Sequence, residues 1–139
     1  MKMRLLIIGA TVLATCACTS TQTVERPIAE LSGPEMFEQL CASCHGALGK
    51  GDGPVAPLIK TGVPDLTRIA ARAGGEFPTD DVRRKIDGRW DRPAHGARDM
   101  PVWGWQFYDS SDANDADARA RVDATIDRLI AYLRSIQNQ

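Results

Sequence analysis

Cys41-Ala42-Ser43-Cys44-His45 constrains the fold of this chain more than any other stretch. Two thiols at this spacing, followed at once by an imidazole, form the attachment pattern of a c-type haem. Each sulfur can add to one vinyl group of the porphyrin, and the histidine can offer a ring nitrogen to the iron. A chain bound three times to one flat, apolar group has to wrap its other elements around that group. Rival uses of a CxxC pair fit less well, because a zinc site needs a second ligand pair and a dithiol redox fold needs strand-helix alternation, and the sequence shows neither.

Ahead of the motif, Lys2 and Arg4 precede an uncharged, mostly apolar run from Leu5 to Ala14, then small residues around Cys16 and Cys18. The run is too short to span a bilayer and has the layout of an export signal. A cysteine just past such a run also marks a bacterial lipoprotein signal, in which that cysteine becomes the lipidated first residue of the mature chain. Leu13-Ala14-Thr15 gives Cys16 the preferred leucine, whereas Thr15-Cys16-Ala17 gives Cys18 the better cut, and Cys18 is preferred. A plain cleaved signal without lipid is the alternative. The expected organisation is a signal over 1–17, a flexible tether over 18–32 rich in Thr, Ser and Gln, and one haem domain over 33–139. With two of the four cysteines at the processing site and two in the motif, no pair remains for a structural disulfide. Losing Lys2 and Arg4 with the signal takes the 17 basic residues to 15 against 18 acidic, a formal charge of −3. A mildly acidic domain argues against nucleic acid as a partner.

Helix punctuation divides the rest. Ser32 and Glu35 have capping-box spacing around Pro34, so the first helix should start there and run into the motif, with Phe37 and Leu40 on the face towards the porphyrin. Gly46 to Leu58 is too rich in glycine and proline for a regular element and should fold tightly beside His45. Asp65 to Arg72 reads as a short capped helix ending before Gly74-Gly75. Thr79 to Asp87 reads as another, with acids first, bases last and Gly88 beyond. Trp90 to Trp105 reads as one loop, and the four aspartates of Asp109 to Asp117 as a solvated lead into the last helix. That helix is the strongest periodic signal: Val122, Ile126, Leu129, Ile130, Leu133 and Ile136 form one apolar stripe from about Ala118 to Gln137. With no convincing strand, the domain is all-α.

Iron held by His45 needs a ligand on its other face. Met36 lies nine residues before His45 on the helix that carries the haem and is badly placed to reach over. Met100 sits before Pro101 in a loop, where a thioether can be aimed without breaking a helix, and Met/His ligation is a known arrangement for haem c. His95 is the reserve ligand.

With these residues in place, the chain from Gly33 to about Ile136 resembles a bacterial single-haem class I c-type cytochrome. The resemblance is carried by Gly33 and Phe37 ahead of Cys41 to Gly46, by Gly51-Asp52-Gly53-Pro54 and Pro64-Asp65-Leu66, by Met100-Pro101-Val102-Trp103-Gly104, and by Leu129 to Leu133. It implies the cytochrome c fold, about four to five helices around one covalent haem c, with the first and last helices crossing at Gly33 and Phe37 against Leu129 and Tyr132. It further implies a loop proline carbonyl that accepts the second ring N–H of His45, from Pro54 or Pro57, with Pro54 preferred. The stretch from Gly74 to Arg98 departs from the smallest members. It leaves Arg89, Arg92, Arg98, Trp103 and Trp105 as candidates to cover the propionates, each of which also suits surface charge or core packing.

A haem with both axial positions filled by protein exchanges single electrons and is poorly open to substrate. The expected function is therefore an electron carrier and not an enzyme. Its donor would be a quinol-oxidising complex or a dehydrogenase and its acceptor an oxidase or reductase, on the periplasmic face of a membrane reached through the lipid anchor. A fixed haem subunit of a larger membrane oxidoreductase, and a gas- or ligand-binding haem protein with a labile Met100, are the alternatives.

Overall fold

A computed structural model of the chain describes residues 26–89, 99–108 and 116–138. The export signal, Cys16 and Cys18, most of the tether, Arg92, His95, Arg98 and the acidic stretch 109–115 lie outside the described residues.

Capping sets the start of α1, Gly33–Leu40. The Glu35 backbone N–H donates to Ser32 Oγ (3.5 Å) and the Ser32 N–H donates to the Glu35 carboxylate (2.8 Å), so both halves of the capping box form. Cys41 joins α1 to a single turn, α2 (Ala42–His45). The hydrogen bonds run on through it, from the Cys41 N–H to Phe37 O and from the His45 N–H to Cys41 O, both 2.9 Å. Asp65 Oδ1 takes the Thr67 N–H at 2.9 Å and starts a 3-10 turn that leads into α3, Ile69–Arg72. The helix α4, Thr79–Asp87, stops where Gly88 turns left-handed at φ 67°. A further single turn, α5, covers Trp103–Gln106, and α6 covers Ala116–Ser135. No strand occurs among the described residues.

The core sits where α6 meets α1 and α4. Val122, Ile126, Leu129, Ile130 and Leu133 are buried along α6, and Met36, Phe37, Val82 and Ile86 are buried against them. At Gly33 a Cβ would meet the Arg128 carbonyl and lie 2.9 Å from Tyr132 Cβ, so the glycine is what allows the two helices to touch. One turn on, the Phe37 and Tyr132 rings stand 5.1 Å apart in a tilted pair, a contact worth about 0.5–1.5 kcal/mol beyond burial. The crossing implied by the resemblance is thus present. The chain end adds a second seam: the Asn138 N–H donates to Thr67 O (2.8 Å), and Gln137 bridges Leu66 O and the Ala70 N–H (2.9 Å each).

Three expectations need correction. Leu31 is buried and Arg128 donates to both Leu31 O (3.1 Å) and Ala29 O (3.0 Å), so the last residues assigned to the tether are docked on α6. Residues 103–106 form a helical turn where a loop was expected, closed by the Phe107 N–H on Trp103 O (3.0 Å). Ala56–Leu58 likewise closes a 3-10 turn inside the Gly/Pro-rich loop. Among the described residues there are six α-helices, of which α1, α3, α4 and α6 fall on the expected segments and α2 and α5 are single turns too short to show a period. None of these helices is long and apolar enough to cross a membrane.

Hydrogen bonds from the Ser32 side chain and backbone, with Arg26 adding to them, hold the Glu35 carboxyl down at about 2 from an ordinary 4.5. The unfolded chain binds that proton more readily, so the stabilisation is present above pH 4.5 and is lost as pH falls towards 2. The difference in unfolding free energy between the native chain and Glu35→Ala should shrink across that window, as followed by denaturant titration at stepped pH.

Candidate haem-binding site

The motif lies at the mouth of an apolar cleft with two lobes. The first, about 330 Å³, is walled by Phe37, Leu66, Ile69, Val82, Ile86, Leu129 and Leu133. The second, about 410 Å³, is walled by Leu40, Cys44, Ile59, Val63 and Pro101, with Thr61 and Asp99 at its polar edge. Cys41, His45, Pro64, Met100 and Trp103 border both, so the lobes meet at the groups the sequence singled out. Phe37 and Leu40, three apart on α1, serve one lobe each.

Loop 46–58 holds the motif in place by backbone contact. The Gly51 N–H donates to His45 O (2.8 Å), the Gly53 N–H to Cys44 O (3.2 Å) and the Val55 N–H to Ser43 O (2.9 Å). Gly46 has φ 77°, and Gly53 is pressed so closely on α2 that a Cβ would fall 2.6 Å from Ala42 O and 2.7 Å from the Cys44 carbonyl carbon. These bonds also correct the proline assignment. Pinned to the α2 backbone, the segment holding Pro54 and Pro57 is exposed and borders neither lobe. The chain returns to the cleft at Pro64, whose carbonyl accepts the His45 Nδ1–H at 3.4 Å. Nε2 is then the ring nitrogen left for a metal.

Electrostatics agree with a group meant to be covered. Burial pushes the His45 ring below its ordinary value, against the Pro64 hydrogen bond, and so favours the neutral imidazole that ligates. Burial, with Cys44 beside it, pushes the Cys41 thiol up to about 12. Both thiols are free and not joined as a disulfide.

The other candidates divide. Met100 borders both lobes, whereas Met36 is fully buried in the core between α1 and its neighbours, as a gap-filler is. Trp103 lines the cleft and stacks on Phe107 at 6.1 Å, but Trp105 is 60% exposed with its ring against Tyr108. Arg89 is engaged by Asp87 and borders neither lobe. His95, Arg92 and Arg98 lie outside the described residues. Pro64, Ile69, Val82 and Ile86 belong to the site although sequence reasoning gave them no part in it. The Val82–Ile86 spacing on α4 was the available sign of an inward face.

The donor set fits the group the motif implies: two free thiols, a neutral imidazole with one nitrogen committed, and a thioether around a space lined by apolar side chains. A helical fold closed on such a cleft defines a haem-binding electron-transfer domain. The Cytochrome c family model matches residues 31–137, and the chain belongs to the cytochrome c family, with covalent haem c as its cofactor. Comparison with curated proteins and with solved structures finds no match.

Because backbone cannot step aside as a side chain can, Gly53→Ala should cost about 1–3 kcal/mol of stability. It should also lower the fraction of chains carrying haem. Thermal unfolding and the ratio of haem to protein absorbance check the two effects.

Proposed function

We propose that this chain is a one-electron carrier whose haem is attached through Cys41 and Cys44 and ligated by His45 and Met100. The observation that carries this is that His45 and Met100 both border each lobe of the apolar cleft, with His45 Nδ1 already committed to Pro64. The bound haem supplies a single reversible electron at its iron, and a thioether ligand together with burial favours the reduced state. Pro64 fixes the tautomer and orientation of the imidazole and raises its basicity. Phe37, Leu66, Ile69, Leu129 and Leu133 keep water from one lobe, and Leu40, Ile59 and Val63 from the other. Trp103 packs at their meeting line.

The export signal and the cysteines at its end support a bacterial lipoprotein held on the periplasmic face of a membrane. There the tether lets the domain exchange electrons with a quinol-oxidising complex or dehydrogenase on one side and an oxidase or reductase on the other. Contacts of this kind are small and short-lived.

Absorbance spectra of the oxidised and reduced protein with a redox titration test the assignment. Met100→Ala should abolish the far-red charge-transfer band of the ferric form, lower the potential and let the reduced protein bind carbon monoxide at neutral pH. An intact band in that variant removes Met100 as the ligand. For the anchor, mass spectrometry of the mature N-terminus should find a diacylglyceryl group on Cys18 or Cys16, and an unmodified N-terminus beyond them sinks the lipoprotein reading.

A further inference from the structure

The geometry points to Asp87 and Arg89 at one end, and Thr61 and Asp99 at the other, as positioning residues that pin the strap 99–104 carrying Met100. This rests on Met100 being the axial ligand.

Asp87 closes α4 and is only 5% exposed, and the Arg89 side chain, two residues on, is 13% exposed. Arg89 grips both carboxylate oxygens, Nε donating to Oδ1 and Nη2 to Oδ2, the latter at 2.8 Å. Its guanidinium carbon stands 4.7 Å from the centre of the Tyr108 ring. Against this pair lies the backbone of α5. A Cβ on Gly104 would meet Asp87 Oδ1 and fall 2.6 Å from Arg89 Nε and 2.8 Å from Asp87 O. Residues 104 and 108 are therefore seated on a fixed, two-pronged ion pair, four and eight positions after Met100.

The strap is also held just before Met100. Thr61 Oγ1 donates to Asp99 Oδ2 at 2.6 Å, and both residues edge the second lobe. Neither Asp87 nor Arg89 borders either lobe, whereas both lie against the backbone of Gly104. The pair acts through where it puts the backbone. A thioether on a slack strap spends time away from the iron, and any added ligand then competes with it more easily, in proportion to the open fraction. Arg suits this task and Lys does not, because only the planar fork can hold two oxygens at once.

Imidazole titration of the ferric haem-loaded protein reads the open fraction directly. Arg89→Lys should bind imidazole about ten-fold more tightly than the native protein. Thr61→Val, at an exposed position where folding is not in question, should shift affinity in the same direction by a smaller factor. Val122→Ala loses buried methyl groups away from both lobes and serves as a destabilised control. Its urea midpoint should fall while its imidazole affinity stays native. Unchanged affinity in both strap variants, or a shift of equal size in Val122→Ala, overturns the inference. Failure of the underlying ligand assignment looks different: the native protein itself would lack the far-red band, and Met100→Ala would bind imidazole no better than native.

Discussion

Gly33 has no side chain, and the Arg128 carbonyl of α6 occupies the space a Cβ would need. That close approach fixes α1 against the longest element of the fold. Arg128 locks the entry to α1 with its bonds to Ala29 and Leu31, and Tyr132 sets Phe37 one turn further along. The direction of α1 then decides where α2 emerges, and with it the two thiols and His45. Leu129 and Leu133, on the same helix that receives Gly33, form the far wall of the first lobe. One helix thus fixes the attachment motif and supplies the surface the motif faces.

A domain of this size has a limited core of its own. Here Phe37 of α1, Val82 and Ile86 of α4, and Leu129 and Leu133 of α6 belong both to the packed core and to the wall of the first lobe. A flat apolar cofactor bound against those walls would add dispersion contacts to the same core. Bound haem would then extend that core as well as supply the redox group. The single turns α2, α3 and α5 each carry a residue that borders the cleft, and each has too few hydrogen bonds of its own to stand alone.

What the sequence made legible was local or strongly periodic. The Ser32 and Glu35 box, the Asp65 cap and the stop at Gly88 are decided within four residues and were found as expected. The α6 stripe is long enough for its period to stand out, and five of its six members are buried, with Ile136 just beyond the helix end. Cys41, Cys44, His45 and Met100 converge on one cleft. Pro64 was missed for a different reason. Which of three loop prolines reaches His45 depends on how loop 46–58 lies on α2, and that is settled by backbone bonds from Gly51, Gly53 and Val55 that leave no mark on residue type. Long-range pairing hid the Gln137 and Asn138 seam and the docking of Leu31 in the same way.

The Asp87–Arg89 pair gains meaning against this background. A buried ion pair stabilises a fold no better than well-packed apolar residues of similar volume, since both charges must leave water, though removing one partner alone is costly. What it offers is a contact with one geometry. At the end of α4 it meets the bare backbone of Gly104, and an apolar cluster there would tolerate sliding that a two-pronged carboxylate–guanidinium contact does not. The attachment motif brings the haem to the chain, but any CxxCH could do that. On the proposed ligation by Met100, closing the far side of the iron would depend on a strap more than fifty residues away in sequence, where precision would be worth more than the stability an apolar substitute would give.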